Sequence, residues 1–214
     1  MLDRIQDAVV DRLRGGPLDP ALPDEQGRFP LVTAATVAVG ALLIVGVLGY
    51  RAPGPQNDPA AKRWYRDLDK PSGTPPDLAF GLVWPAIEVG LAYAAFRLLR
   101  KPSDVWRNRA LGVLAVNLTS IPTFSKMFFG RRDLKAAEAN TVAQFFGAWS
   151  FVAAAWNADR PAALAGLPHA VWVTFANWLM AEILRRNDPS TRQLARKARR
   201  AVADAAPTPD AAAR

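Results

Sequence analysis

The stretch WYRDLDKPSGTPPDLAFGLVWPAIE, residues 64–88, joins a proline-rich loop to an apolar run that carries a single acid. Proline fixes the backbone angle φ, lacks an amide donor and pushes the residue before it towards an extended conformation. Pro71, Pro75 and Pro76 therefore predict an ordered loop that cannot continue a preceding helix. The apolar run then predicts a helix that begins directly after Pro76.

Aromatic residues stand at the start of this loop. Trp64 and Tyr65 suit a membrane–water interface, where an apolar ring and its polar edge are both satisfied. The loop is interpreted either as a lid over a space between helices or as an interfacial anchor followed by a tight turn. The predicted lid, residues 64–76, includes Trp64, Tyr65, Lys70, Pro71, Pro75 and Pro76.

Uncharged or nearly uncharged runs occupy residues 31–50, 78–96, 110–125, 139–158 and 161–181. A helix needs about 20 mostly apolar residues to span a membrane. The run at 110–125 is short, and the run at 78–96 contains Glu88. The sequence predicts an all-α, polytopic membrane protein with a bundle of five transmembrane helices. A soluble all-α protein is the alternative; it accounts for the short run but poorly for the long ones.

Charge and cysteine content narrow the possibilities further. The net charge is +8 and there is no cysteine, which excludes disulfides and thiol chemistry. The first 30 residues lack the apolar core of a cleavable signal, so we expect the first run to be an uncleaved anchor. With five spans, most of the 27 Lys and Arg residues fall on the side of the C-terminus. This bias predicts a cytoplasmic C-terminus.

Three regions follow from this pattern. Residues 1–30 form an N-terminal extension, interpreted either as an interfacial helix or as a frayed segment. Residues 31–187 form the five-helix domain. Residues 188–214 form a basic, Ala-rich tail, either attracted to anionic headgroups or simply solvated. Nucleic-acid binding is not expected, because the basic cluster has no interleaved aromatic residues.

The motifs W-Y-x-x-L-x-K-P-x-x-x-P-P and F-G-x-V-W, both in the stretch 64–88, are followed by other motif residues later in the chain. Asn117 lies in the third run, and Leu167-Pro168, Trp172, Phe175-Ala176 and Asn187 follow in order. Together these residues resemble the TspO/MBR family, the tryptophan-rich sensory proteins and translocator proteins. The resemblance covers roughly residues 30–187.

The resemblance implies five transmembrane helices around an internal pocket that the first loop covers. It implies binding of porphyrins or haem, and in some members sterols, with a frequent homodimer. The expected role is sequestration, transport or stress signalling, with no cofactor required and no metal site of the protein's own. Some members are credited with light-dependent porphyrin breakdown through pocket tryptophans. If this protein is such an enzyme, Trp84 and Trp172 are the matching residues.

This chain departs from the family pattern at several positions that the resemblance places near the pocket. The last helix has no tyrosine, which argues against sterol binding. A diverged member with a different ligand, or one that responds to pH, therefore stays open as an alternative. The replaced positions are Gly73 for a tryptophan, Glu88 for an aromatic residue, His169 and Trp178 for tyrosines, Met180 for an asparagine and Ser120 for an aromatic residue.

Helical spacing indicates which side chains meet. Polar residues inside membrane helices are costly and usually face the bundle interior. Trp84 and Glu88 are four residues apart on one helix face, as are Asn140 and Gln144. The predicted ligand-binding residues are Trp64, Tyr65, Pro75, Pro76, Trp84, Glu88, Asn117, Asn140, His169 and Trp172.

Glu88 and His169 raise a further question of pairing. They bond to each other, directly or through water, or each bonds to a nearby backbone or hydroxyl group. His169 is also a candidate axial ligand of haem iron, since neutral imidazole commonly has that role. The alternative is a structural histidine with a partner inside the bundle.

Overall fold

The structure is a computed structural model that describes residues 21–189 and residue 197. The amphipathic start of the N-terminal extension and almost all of the basic tail lie outside these residues. The described helices are α1 (Leu31–Arg51), α2 (Pro59–Asp67), α3 (Asp77–Leu99), α4 (Val105–Ser125), α5 (Leu134–Ala158) and α6 (Arg160–Asn187), with a π-helical turn at Lys126–Gly130 after α4.

The five long helices confirm the predicted all-α bundle, and α2 adds a short helix within the first loop. Aspartates begin four of the helices by accepting backbone amide hydrogen bonds, as good N-caps do. Pro76 precedes α3 with extended backbone angles, as the proline pattern predicted. The capping residues are Asp58, Asp104, Asp133 and Asp159.

The long helices form a closed ring. α1 packs against α3 and α4, α3 against α6, α6 against α5, and α5 against α4. Gly90 marks the closest approach of α3 to α6, since a Cβ built there would lie 2.7 Å from the Ala165 carbonyl oxygen. The small residues of α3 are therefore used for packing within the bundle at this level.

The bundle has two distinct ends. At the lid end, α2, the π-helical turn and the C-terminus of α6 lie together, and the Asp69 amide donates to Asn187 Oδ1 at 3.1 Å. At the opposite end, the segment before α1 pairs with the α3–α4 connection, where the Phe29 amide donates to the Leu99 carbonyl at 3.0 Å.

A buried arginine secures the opposite end. Arg107 is 3% exposed and donates from Nε to the Leu98 carbonyl and from Nη2 to the Gly27 carbonyl. The buried Arg107 guanidinium is accommodated because backbone carbonyls accept its hydrogen bonds.

The uncharged run at 110–125 is shorter than the helix that contains it. α4 begins earlier, at Val105, and its first turns are polar.

The outer surface of the bundle is apolar. Helices Leu31–Arg51 and Leu78–Leu99 are long and apolar enough to cross a membrane, with mean hydropathy of 2.5 and 1.6. Only 17% and 22% of their apolar windows are buried inside the protein, whereas a core helix of a soluble protein is mostly buried. α5 and α6 contain amide and tryptophan side chains, which lower their mean hydropathy. Contiguous exposed apolar surface of this kind marks a contact with lipid or protein.

Candidate functional site

The two larger apolar clusters of the bundle lie one toward each end, and a small third cluster contains Ala148, Ala170 and Val173. The opposite-end cluster includes Ile87, Leu91, Leu98, Leu114, Phe151 and Ala163, and the lid-end cluster includes Phe128, Ala137, Leu179, Met180 and Ile183, with Phe80, Phe124 and Phe175 packed against it. On each of α3 to α6, polar or aromatic side chains fall between members of the two clusters. These side chains, here called the central layer, are Trp84, Asn117, Gln144, His169 and Trp172.

Three side chains of the central layer carry buried polar atoms with no hydrogen-bond partner. They are Asn117 Nδ2, His169 Nε2 and Trp172 Nε1. Asn117 is 2% exposed and His169 is 1% exposed. Buried polar atoms in proteins are nearly always hydrogen-bonded, and one left unpaired costs about 1–3 kcal/mol. Among the residues that the structure describes, no other buried side-chain nitrogen or oxygen lacks a partner.

His169 faces Trp84 across the α3–α6 contact. The ring centroids are 6.3 Å apart and the planes are tilted by 56°. Glu88 is half-buried one turn beyond Trp84, and no hydrogen bond or ion pair in the described chain joins it to His169. The direct form of the predicted Glu88–His169 interaction is therefore not found. The form through water stays a prediction.

Trp172 begins a line of aromatic contacts that leads to the lid. Its ring lies 5.7 Å from those of Phe80 and Phe175, and Phe175 lies 5.8 Å from Trp178. Trp178 in turn packs beneath Gly73, where a Cβ would lie 3.4 Å from its Cη2 atom. An indole on α6 therefore lies beside the lid position at which the tryptophan of the family pattern is replaced by glycine.

The two predicted amides on α4 and α5 have different environments. Asn117 lies over Gly147 so closely that any Cβ at that glycine would collide with its Oδ1 atom. Asn140 accepts a hydrogen bond of 2.6 Å from Gln144 Nε2. The Asn140–Gln144 pair thus satisfies part of its own hydrogen bonding, while Asn117 keeps a free donor facing the layer.

The lid contains a tight turn from Pro71 to Thr74, but its aromatic residues do not reach the central layer. The Trp64 and Tyr65 rings pack edge-on against Phe128 of the π-helical turn, at 5.1 and 6.1 Å. Lys70 Nζ donates to the Tyr65 carbonyl at 2.5 Å. Pro75 and Pro76 lead from the lid into α3. The predicted site is therefore divided into a lid group and a central group, separated by the lid-end cluster.

Asn187 has a role that spacing did not predict. Its Oδ1 atom accepts from the Asp69 amide, and its Nδ2 atom donates to the Asp69 carbonyl at 2.9 Å. The side chain fastens the lid to the last turn of α6. Its place in the family pattern marked the residue, but nothing in the sequence indicated the partner.

Comparison with models of protein families assigns the chain to a family. The model of the TspO/MBR family matches residues 36–186, which is more than half of the chain and includes the whole central layer. The chain belongs to the TspO/MBR family. This TspO/MBR protein is therefore a membrane protein whose five long helices form the transmembrane bundle.

Curated relatives of this TspO/MBR protein have low identity but long coverage. It is 29% identical over 128 residues to the "Tryptophan-rich sensory protein" of Cereibacter sphaeroides, covering 58% of this chain and 77% of the relative. It is 27% identical over 161 residues to the "Tryptophan-rich protein TspO" of Chlorobaculum tepidum, covering 73% and 97%. It is 26% identical over 163 residues to the "Uncharacterized membrane protein YtaB" of Bacillus subtilis, with the same coverage.

Proposed function

We propose that this protein binds a tetrapyrrole, such as a porphyrin or haem, or a similar flat hydrophobic ligand within its bundle. The observation that carries the proposal is the set of unpaired buried atoms on Asn117, His169 and Trp172. A ligand with polar groups on an apolar ring would supply the missing partners and repay the cost of burying them. Sequestration, transport or stress signalling would follow from such binding.

Three residues of the central layer have distinct parts in this proposal. The rings of Trp84 and Trp172 offer aromatic faces to a planar ligand. Asn117 Nδ2 and Trp172 Nε1 are donors, so they suit carbonyl or carboxylate oxygens on the ligand. The lid would cover the bundle from one end.

Intrinsic tryptophan fluorescence tests the proposal directly. The protein in detergent is titrated with a small panel of tetrapyrroles and sterols. We expect saturable quenching by a porphyrin, weakened in Trp84→Phe and Trp172→Phe. Trp156→Phe is the matched control, because Trp156 is 49% exposed and lies near the far end of α5. Absence of saturable quenching by every tetrapyrrole would reject the proposal.

A second candidate function is light-dependent porphyrin breakdown. Trp178 favours it, because this tryptophan beside Gly73 stands close to the lid position where the family pattern has one. The purified protein is illuminated with protoporphyrin in air. Loss of porphyrin absorbance that disappears in Trp84→Phe, Trp172→Phe or Trp178→Phe would support catalysis, and equal loss in all three variants and the wild type would reject it.

We also propose that the lid end faces the cytoplasm. The lid, the π-helical turn and the C-terminus of α6 lie at this end. The excess of Lys and Arg residues in the sequence lies on the same side of the membrane as the lid. A reporter that works only in the cytoplasm is fused after the C-terminus, and we expect it to be active. An inactive reporter would indicate the opposite orientation.

A further inference from the structure

A cleft of about 540 Å³ lies between α2 and residues 70–75 of the lid, away from the central layer. Four cationic residues line it: Lys62, Arg63, Arg66 and Lys70. Its lining contains no acidic residue. The remaining walls are formed by Tyr65, Thr74 and three prolines, Pro59, Pro71 and Pro75.

The charges of this basic cleft are largely uncompensated. Lys62 and Arg63 are exposed, and neither makes an ion pair within the described part of the chain. Arg66 has only a 3.6 Å contact with Asp67 between two exposed side chains. Such a surface pair contributes little. The cleft therefore presents several cations to any anion that enters it.

Lys70 prepares the cleft in a second way. Its Nζ atom donates to the Tyr65 and Arg66 carbonyls at 2.5 and 3.4 Å and lies 4.4 Å from the centre of the Tyr65 ring. These carbonyls belong to the last turn of α2, which carries the negative end of the helix dipole. The ammonium group neutralises that end, so the carbonyls do not repel an incoming anion.

The walls of the cleft are fixed before any ligand arrives. Thr74 donates from its amide and its hydroxyl to the Pro71 carbonyl, at 3.0 and 2.7 Å, which closes a tight turn. Asn187 holds Asp69 by two hydrogen bonds. A preformed site avoids much of the ordering cost of binding.

We propose that this cleft binds the phosphate group of an anionic membrane lipid or of a soluble phosphate ester. Arg presents a planar set of donors to phosphate oxygens, and Lys adds a mobile point charge. Trp64, on the same helix, fits a position at the membrane surface, where lipid headgroups are available. The inference does not depend on the ligand of the central layer.

Lipid binding to the full-length protein in neutral detergent provides the test. Short-chain phosphatidylglycerol and phosphatidylcholine are added separately, and bound lipid is counted by native mass spectrometry. We expect selective retention of phosphatidylglycerol, reduced at least fivefold in the double variant Lys62→Gln, Arg63→Gln, since each basic residue near an anionic surface contributes about that factor. Arg131→Gln, Lys135→Gln is the control, because both side chains are exposed at the same end but outside the cleft.

Glycerol phosphate distinguishes the two sources of phosphate. If it displaces the lipid at millimolar concentration, the phosphate group alone is sufficient and a soluble ester is the ligand. If glycerol phosphate does not displace the lipid, the lipid is the ligand. Equal retention of both lipids, or equal losses in the cleft and control variants, would overturn the proposal. Unchanged helical circular dichroism would show that the exposed substitutions leave the fold intact.

Discussion

His169 is the most buried of the three side chains with an unpaired polar atom, and its unpaired atom is Nε2. An imidazole nitrogen without a hydrogen-bond partner is available as a metal ligand. If the bound ligand is haem, His169 is therefore the residue expected to bind its iron.

We predict that His169→Ala changes the absorption spectrum of the haem complex. Haemin is added to the wild type and the variant, and the Soret band of each complex is recorded. The wild-type band should shift on binding, and the shift should be lost or moved in the variant. An identical Soret band in both proteins would remove axial ligation and leave His169 as a ring packed against Trp84.

Residue spacing was sufficient to predict much of the central layer. Polar residues were assigned to inner helix faces, and Asn117 and His169 are indeed almost completely buried. Spacing along one helix gives no distance to another helix, so the missing Glu88–His169 bond could not be foreseen. For the same reason the sequence did not indicate the contact between Gly73 and Trp178, which are far apart in the chain.

The contact between α3 and α6 depends on a glycine. Gly90 brings the α3 backbone against the Ala165 carbonyl, and a Cβ there would lie at 2.7 Å from the carbonyl oxygen. Backbone atoms cannot rotate away as a side chain can, so the two helices would have to separate. Trp84 and His169 of the central layer face each other across this contact.

We predict that Gly90→Ala destabilises the bundle by about 1–3 kcal/mol, the usual cost of overpacking. Gly81→Ala on the same helix is the control, since a Cβ there meets nothing within 4 Å. Thermal unfolding in detergent measures both. A melting temperature for Gly90→Ala that equals that of Gly81→Ala would contradict the predicted close approach.

An amide side chain fastens the lid to the end of α6. Asn187 makes two hydrogen bonds to the Asp69 backbone and a third, from Nδ2, to the Ile183 carbonyl at 2.8 Å. Asn157 makes the equivalent bond to its own helix, to the Ala153 carbonyl at 2.9 Å, but has no lid contact. The two asparagines thus differ in the contact with the lid.

We predict that Asn187→Ala loosens the lid while the bundle stays folded. Each lost hydrogen bond contributes about 1 kcal/mol, which is enough to raise the open population several-fold. Amide hydrogen exchange in residues 68–74 should become faster than in the wild type, and Asn157→Ala should leave it unchanged. Equal exchange rates in all three proteins would show that the lid is held elsewhere.

The uncharged runs predict the central parts of the helices well, but they predict the helix ends less well. The uncharged runs at 31–50 and 139–158 lie within α1 and α5. α5 begins five residues before its run, because Asp133 caps it and its first turns are polar. α2 was not predicted as a helix, although Asp58 followed by Pro59 is a helix-start signal. Its basic composition resembled that of a loop.

The whole bundle is fastened at the end away from the lid by a buried carboxylate. Asp159, between α5 and α6, accepts from Arg97 Nε and Nη2 at 3.1 and 3.0 Å, and Lys101 lies 3.1 Å away. It also caps α6 through the Ala162 amide. Burial alone would raise the pKa of Asp159, but the hydrogen bonds from Arg97, Ala162 and Lys101 outweigh it and hold this pKa below its usual value.

A lowered pKa in the folded protein gives a defined dependence of stability on pH. The stabilisation is complete above the pKa of an unfolded aspartate, about 3.9, and is lost as the pH falls towards the lower folded value. We predict that the melting temperature falls below about pH 4 and that Asp159→Asn reduces this acid dependence. Near neutral pH the variant should lose about 2 kcal/mol of charged hydrogen bonding while keeping an N-cap.

Asp133→Asn is the control for this prediction, since Asp133 caps α5 but is exposed and makes no ion pair in the described chain. Melting temperatures are measured for the three proteins from pH 3 to pH 8. An acid dependence in Asp159→Asn as steep as that of the wild type would assign it to other carboxylates.

The amide that fastens the lid also sets an order of events during synthesis. Asp69 and Asn187 are 118 residues apart in the chain, and Asn187 is the last residue of α6. The lid leaves the ribosome early, but its fastener is made only after every transmembrane helix has been translated. In the nascent chain the lid therefore lacks these two hydrogen bonds until the last transmembrane helix has been made.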